Sequence, residues 1–193
     1  MSPNTKGEKF AWLDPTSIYI NGDAFHDLLD DLVSDLVNVK CDVVAGLDAM
    51  GFVLATALAT RLNVGFLPIR KAGKLCVDTD SVTFSNYSGR IQDMEVRVPA
   101  FSRGTRVLLV DQWIETGGTM DGAIRLVKRQ GGIVVGLVAI AMESNEKTDE
   151  YRECFPCITA VRADTDLQTQ CDRQSLDSFK TYKPEMAFPK LGG

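Results

Sequence analysis

Asp111, Glu115 and the run Thr116-Gly117-Gly118-Thr119 lie close together in "VLLVDQWIETGGTM" (107–120). Their chemistry suits an anion attached to something that carries hydroxyl groups. Two glycines let backbone N–H groups approach an anion closely, and two threonines add hydroxyl donors. A helix beginning near Thr119 adds free N–H groups and the positive end of its dipole. Met120 closes the turn. The natural occupant of such a cradle is a phosphate. An acid that ends a run of apolar β-formers is badly placed for a core and well placed to accept hydrogen bonds from hydroxyls. Together, Asp111 and the cradle suit a sugar phosphate. A Walker-type loop is excluded, because the glycine-lysine-threonine ending is absent. A tight glycine turn that binds nothing has the same composition and remains the competing local reading.

The elements that must position these residues follow from periodicity. Residues 21–39 place Phe25, Leu28, Leu29, Leu32, Val33, Leu36 and Val37 at helical spacing, with Asn21 or Asp23 available as a cap. His26 falls off that stripe and is expected to be solvated. "CDVVAGL" (41–47), "VGFLPIR" (64–70), "RVLLVD" (106–111) and "GGIVVGLVAIAM" (131–142) are predicted strands, and 52–62 and 119–130 are predicted helices. Residues 96–99 and part of 81–87 are expected to pair as a hairpin with polar sequence between. Strands alternating with helices of this length predict an α/β fold, a central and mostly parallel sheet flanked by helices. Ligands in such sheets sit beyond the carboxyl ends of the strands, where residues 112–119 fall.

The 193 residues fit one domain, taken as 1–193, with a polar and peripheral tail from 164 to 193. A net charge of −5 argues against a general nucleic-acid binder. No apolar run is long enough to span a membrane, and the N-terminus has no apolar signal core, so the expectation is cytoplasmic. Five cysteines at irregular spacing do not form a secreted disulfide framework. The lone C-x-x-C at Cys154 and Cys157 lacks the second ligand pair of a zinc site and leads into a strand, so ordinary, partly buried cysteines are expected.

With these residues in view, the chain resembles the type I phosphoribosyltransferases, and most closely those that use adenine. The motif at 107–120 is similar to their phosphoribosyl-diphosphate motif. "VVAGLDAMGFVLATALATRLNVGFLPIRKAGKL" (43–75) is similar to the corresponding adenine-enzyme block, "WLDPTSIYING" (12–22) to the hood over the base, and "SNYSG" (85–89) to the flexible loop. The hood region is taken as 10–25. The resemblance runs in order over roughly residues 10–150. It implies transfer of phosphoribose from phosphoribosyl diphosphate to a purine-type nucleobase, releasing pyrophosphate. It also implies Mg2+ bound mainly through the diphosphate and a homodimer, with no nucleic acid or membrane as partner.

Carried over residue by residue, the resemblance puts the 5′-phosphate on the turn from Glu115 to Thr119 and ribose hydroxyls on Asp111. The pyrophosphate falls to the cations Arg70, Lys71 and Lys74, with backbone near Asp48, Ala49, Met50 and Gly51 as a second anion loop. Trp12 is expected to stack on the base. Trp113 is expected to be structural.

Several positions depart from the family pattern. Gln112 stands where the family has a second acid, Met50 where the anion loop usually has arginine, Leu13 at the hood's arginine position, and Asn86 at the flexible loop's glutamate. Glu115 is a gain, because the resemblance to enzymes for 6-oxopurines implies an acid there that contacts the base and can handle its proton; the alternative is an acid that only faces solvent at the loop mouth. Met50, Gln112 and Asn86 favour a non-catalytic homologue that binds a phosphoribosyl compound or nucleotide as a regulator or sensor. Glu115 and the intact "RKAGK" favour the enzyme. A flavodoxin-like phosphate-binding module explains the cradle but not the ordered resemblance.

Overall fold

A computed structural model of the protein describes residues 2–3, 13–85 and 89–172. The chain begins with a short antiparallel pair, β1 (Ser2–Pro3) with β2 (Leu13–Asp14). Two helices follow, α1 (Ser17–Ile20) and α2 (Gly22–Asp35). The remaining elements alternate: β3 (Val43–Leu47), α3 (Gly51–Leu62), β4 (Gly65–Lys71), β5 (Thr79–Ser85), β6 (Ile91–Arg97), β7 (Arg106–Val110), β8 (Trp113–Ile114), α4 (Gly118–Arg129), β9 (Ile133–Ala139), β10 (Ala141–Met142), α5 (Glu146–Cys154), β11 (Cys157–Thr159) and α6 (Asp166–Cys171).

Seven strands form the central sheet in the order β11-β9-β7-β3-β4-β6-β5. The first five in that order run parallel, and the β5–β6 hairpin adds antiparallel strands at one edge. Strands β3 and β7 lie at the centre, and both are almost wholly buried. That is why they read as continuous apolar runs rather than alternating ones.

Alternate residues on each strand feed different cores. Val44, Leu108, Val110 and Val138 face a cluster completed by Leu28, Leu29 and Leu32 of α2 and Leu54 and Leu58 of α3. Ala45, Leu47, Val107 and Leu109 face the other side, against Met120, Ala123 and Leu126 of α4, Tyr151 of α5 and Phe84 and Met94 of the hairpin. Helices therefore cover both faces. From β3 the chain passes through α3 to β4 on one side, and from β7 through α4 to β9 on the other. The order reverses between β3 and β7, so a crevice opens beyond their carboxyl ends.

Local details depart from the periodicity at a few points. The first long helix stops at Asp35, with Asn21 accepting from Ala24 N–H at 3.1 Å as its cap. Val37 thus lies beyond the helix and is exposed. The predicted strand 131–142 divides into β9 and β10. Ile140 N–H bonds to Gln112 O between them, and β10 pairs with β8 instead of the main sheet. β6 is longer than the four residues its apolar run suggested. The polar segment after 164 is not all peripheral. α6 buries Gln168 and Cys171, and Cys171 joins Ala141 and Val161 in a third small core. Two inward residues one turn apart were too little pattern to reveal that helix.

His26 is exposed, as expected, with Nε2 2.8 Å from an Arg61 nitrogen. Among the described residues all five cysteines are free. Cys154 ends α5 and Cys157 opens β11, where burial pushes its thiol up to about 11. Cys154 itself is exposed, not partly buried.

Candidate active site

The crevice between β3 and β7 holds a cavity of about 280 Å³. Both strand-end loops line it. Asp48, Ala49 and Met50 come from the β3–α3 connection, and Asp111 to Met120 from the β7–α4 connection. Arg70 and Lys71, at the end of β4, close a third side. Phe84, Gln92 and Met94 of the hairpin, with Ile69, supply an apolar and amide wall that the sequence had not marked.

The glycine turn has the geometry of a helix-start anion site. Gly117 has φ +82°, which costs a residue with a side chain and is ordinary for glycine. Gly118 opens α4, so the first N–H groups of that helix have no acceptor one turn earlier. A Cβ on Gly118 would overlap the backbone oxygen of Ser85. Only glycine lets the end of β5 approach the turn this closely. Thr116 is exposed at the mouth, whereas Thr119 is half-buried.

Asp111 projects from the tip of β7. Its Oδ1 accepts from the N–H of Gln112 at 2.7 Å. Burial, opposed by that hydrogen bond and aided by the charge of Glu115, pushes its carboxyl up to about 7. The residue as a whole keeps some exposure, but its carboxyl group is enclosed. Gly51 lies directly behind it, and a Cβ there would come within 3.2 Å of Oδ1 and 2.8 Å of Val110 O. The start of α3 and the tip of β7 thus fit together only through glycine.

The second loop is braced by Asp48. Its Oδ2 sits 3.4 Å from Arg70 Nε and 3.4 Å from the Lys71 amide. The Asp48–Ala49 peptide is cis. Arg70 also donates through Nη1 to Lys74 O at 3.0 Å, so part of its guanidinium holds the loop. Lys74 does not line the cavity. Its side chain is exposed, and its amide donates to Glu95 Oε1 at 2.8 Å, as does that of Leu75. Glu95 is buried. Burial would raise its carboxyl, but hydrogen bonds from Leu75, Gly73, Lys74 and Thr79 outweigh this and hold it below the usual range. An acid between Met94 and Val96 on a strand was the one sequence sign of that internal anion.

Glu115 is half-buried in the cavity wall, and its carbonyl accepts from Asn145 Nδ2 at 2.8 Å. Trp113 also reaches the wall, but its indole N–H bonds Glu143 at 3.1 Å and its ring packs against the third core, which is a structural placement. Gln112 turns its amide to the hydroxyl of Tyr19 at 3.1 Å. Trp12 and Asn86 lie outside the described residues.

Thus the structure brings together Asp111, Glu115, Thr116, Gly117, Gly118, Thr119, Met120, Asp48, Ala49, Met50, Arg70 and Lys71 around one cavity. Sequence reading missed Tyr19, Glu95, Asn145 and Tyr151, all of which hold this assembly from outside. Asn145 had a sign, a capping residue followed by acids at 146 and 149.

Residues 16–173 match the family described as phosphoribosyl transferase domain. Adenine phosphoribosyltransferase of Neisseria meningitidis serogroup B is 44% identical over 127 residues, covering 66% of this chain and 67% of that protein. Among solved structures, adenine phosphoribosyltransferase of Saccharomyces cerevisiae, complexed with D-2,5-dideoxy-2,5-imino-altritol 1,6-bisphosphate and adenine, superposes with a TM-score of 0.74 at 30% identity, covering 82% of this chain and 92% of that one. The enzyme of Trypanosoma brucei, in complex with AMP, pyrophosphate and ribose-5-phosphate, gives a TM-score of 0.71 at 26% identity, covering 77% of this chain and 68% of that one.

Proposed function

The chain belongs to the phosphoribosyl transferase domain family, and we propose that it transfers the phosphoribosyl group of phosphoribosyl diphosphate to a purine, adenine being the base we assign. The assignment of adenine follows the named substrate of its relatives. The observation that carries the reaction is the convergence of both strand-end loops and the end of β4 on one cavity at the point where the strand order reverses.

Each part of the substrate has a matching wall. The N–H groups of 116–119 receive the 5′-phosphate. Arg70, Lys71 and the backbone of 48–51 face the diphosphate, where positive charge stabilises the leaving group. Asp111 accepts from the ribose hydroxyls. As the base nitrogen bonds the anomeric carbon, the carbon–oxygen bond to diphosphate breaks and the sugar passes through an oxocarbenium-like state. Asp111 and Glu115 lie on the side where that positive charge develops. Glu115 takes the proton that the base nitrogen loses.

Among the described residues no group of three or more His, Cys, Asp or Glu side chains could hold a metal. The carboxylates lining the cavity are Asp48, Asp111 and Glu115, and Asp111 is the residue that would help to hold Mg2+ brought in on the diphosphate and ribose oxygens. When bound, the ion would supply charge neutralisation on the diphosphate. No helix among the described residues is long and apolar enough to cross a membrane, and we place the reaction in the cytoplasm as part of purine salvage, carried out by a homodimer.

The test is pyrophosphate release from phosphoribosyl diphosphate and magnesium with adenine, hypoxanthine, guanine and xanthine in turn. Release with adenine supports the assignment. Release with a 6-oxopurine alone would reassign the base to the class that the acid at 115 resembles. No release with any base would leave only phosphoribosyl binding.

A further inference from the structure

We propose that Asn145 and Tyr151 are positioning residues that aim the anion-binding amides of Thr116 and Gly118 into the cavity. This rests on the reading of 116–119 as the cradle for the 5′-phosphate. Neither residue lines the cavity. Both belong to the segment that caps and forms α5, on the far side of the turn.

A trans peptide unit is planar, so the C=O of one residue and the N–H of the next point in opposite directions. Fixing a carbonyl on one side therefore fixes the following amide on the other. Asn145 Nδ2 donates to the Glu115 carbonyl at 2.8 Å. The Thr116 N–H must then point away from α5. The Tyr151 hydroxyl donates to the Gly117 carbonyl at 2.9 Å, and the same oxygen accepts from Asp121 N–H at 2.8 Å. The Gly118 N–H is thereby turned away from α5 as well. The cavity is lined by the turn residues and by neither Asn145 nor Tyr151, so we assign it to the side of the turn away from these two side chains.

Both pins are themselves held. Asn145 is the cap of α5, and its side-chain oxygen accepts from Lys147 N at 3.1 Å and Thr148 N at 3.2 Å, which orients its nitrogen toward Glu115. Tyr151 is buried to 3% exposure, and burial raises its phenol, so it stays protonated and donating. The Lys147 ammonium lies 5.3 Å over its ring. A Cβ on Gly117 would meet Lys147 at 2.9 Å and Tyr151 at 3.1 Å, so the turn packs directly on its supports. A glycine turn left to itself has many orientations for each peptide unit. Removing them before the ligand arrives is preorganisation, and it strengthens each charge-assisted bond to phosphate.

Two substitutions separate aiming from folding. Tyr151→Phe keeps the buried ring and removes the donor. Asn145→Asp keeps the capping oxygen and offers no donor to Glu115. Binding of ribose 5-phosphate and of pyrophosphate to the intact protein is measured separately by calorimetry, with steady-state kinetics on phosphoribosyl diphosphate and adenine. Each substitution is expected to weaken ribose 5-phosphate by about three- to tenfold, one hydrogen bond's worth. Pyrophosphate affinity should stay unchanged. KM for phosphoribosyl diphosphate should rise with kcat and the adenine KM nearly constant. Equal weakening of both ligands, or no change in either, would overturn the proposal. Amide chemical shifts of 116–119 on adding ribose 5-phosphate to the wild type test the premise separately. If they do not move, the cradle reading itself fails. If they move but both variants bind as wild type, only the role of Asn145 and Tyr151 fails.

Discussion

The side-chain nitrogen of Gln112 donates to the phenol oxygen of Tyr19 across 3.1 Å, tying α1 to the tip of β7. Tyr19 is steadied by an edge-on contact with Phe25, the ring centroids 5.2 Å apart. Position 112, where the resemblance expects an acid facing the sugar, is thus used to hold the segment resembling a hood. Tyr19→Phe keeps the ring contact and removes the bond, and Gln112→Ala removes it from the other side. Each is expected to cost about 0.5–1.5 kcal/mol in urea unfolding. The double variant should cost less than the sum, because the pair shares one bond. Strict additivity would show that the two residues act independently.

Gly118 sets a sharper test of the turn. A Cβ there would overlap the backbone oxygen of Ser85, and backbone cannot swing aside as a side-chain tip can. Gly118→Ala is expected to displace the end of β5 or the start of α4, lowering ribose 5-phosphate affinity by about tenfold or more, equivalent to roughly 1.4 kcal/mol. Gly22→Ala is the control, since nothing lies within 4 Å of a Cβ at that position. It should bind as wild type. Unchanged binding by Gly118→Ala would show that this approach is not needed for the site.

Much of this fold and part of this site were legible in the sequence because their signals are local. Continuous apolar runs at 43–47 and 106–110 are what strands buried on both faces require. Glycines and hydroxyls at a strand end mark a tight turn with room for an anion, a signal carried by a few neighbouring residues. What could not be read is whatever depends on distant partners. Gln112 to Tyr19 spans 93 residues, and Asn145 to Glu115 spans 30. Lys74 shows the same limit: a cation beside other cations reads as part of their cluster, whereas the structure leaves it out of the cavity lining and ties its amide to Glu95, 21 residues away. The capping of α5 was visible at Asn145, but its purpose lies in which carbonyl the other side-chain atom reaches.

Asp111 gives a pH dependence whose sign can be worked out. Burial pushes its carboxyl up to about 7 in the folded protein, against about 4 in an unfolded chain. Between those values the folded state binds the extra proton, so this group's contribution to stability is full below about pH 4 and is lost as pH rises through about 7. Asp111→Asn should flatten that part of the stability profile. Hydroxyl donors prefer the carboxylate, so phosphoribosyl-diphosphate affinity should instead increase as pH rises through about 7, and lose part of that increase in Asp111→Asn. Identical pH profiles for the two proteins would remove Asp111 from the ribose site.

The proton transfer proposed for Glu115 can be tested on its own. Its backbone is anchored by Asn145 and its side chain lies in the cavity wall near Asp111, whose carboxyl is raised first by burial and to a smaller extent by the charge of Glu115. A base becoming a nucleophile must lose a proton, and a carboxylate within about 2.6–3.2 Å of the ring nitrogen, directly or through one water, can take it. Glu115→Gln preserves size and removes the proton acceptor. Turnover should fall by about 10²–10⁴-fold, with phosphoribosyl-diphosphate affinity little changed, because the proposed binding mode gives the diphosphate and the 5′-phosphate to other walls. Loss of the neighbouring charge should also move the Asp111 titration downward, which NMR of the side-chain carboxyl can follow in the ligand-free protein. The two readouts are independent. A lowered Asp111 midpoint with unchanged pyrophosphate release would mean that Glu115 shapes the field of the site but does not move the proton. A fall in release that is recovered by raising the pH would mean that Glu115 had supplied the deprotonation, since a base already short of its proton no longer needs a carboxylate to remove it.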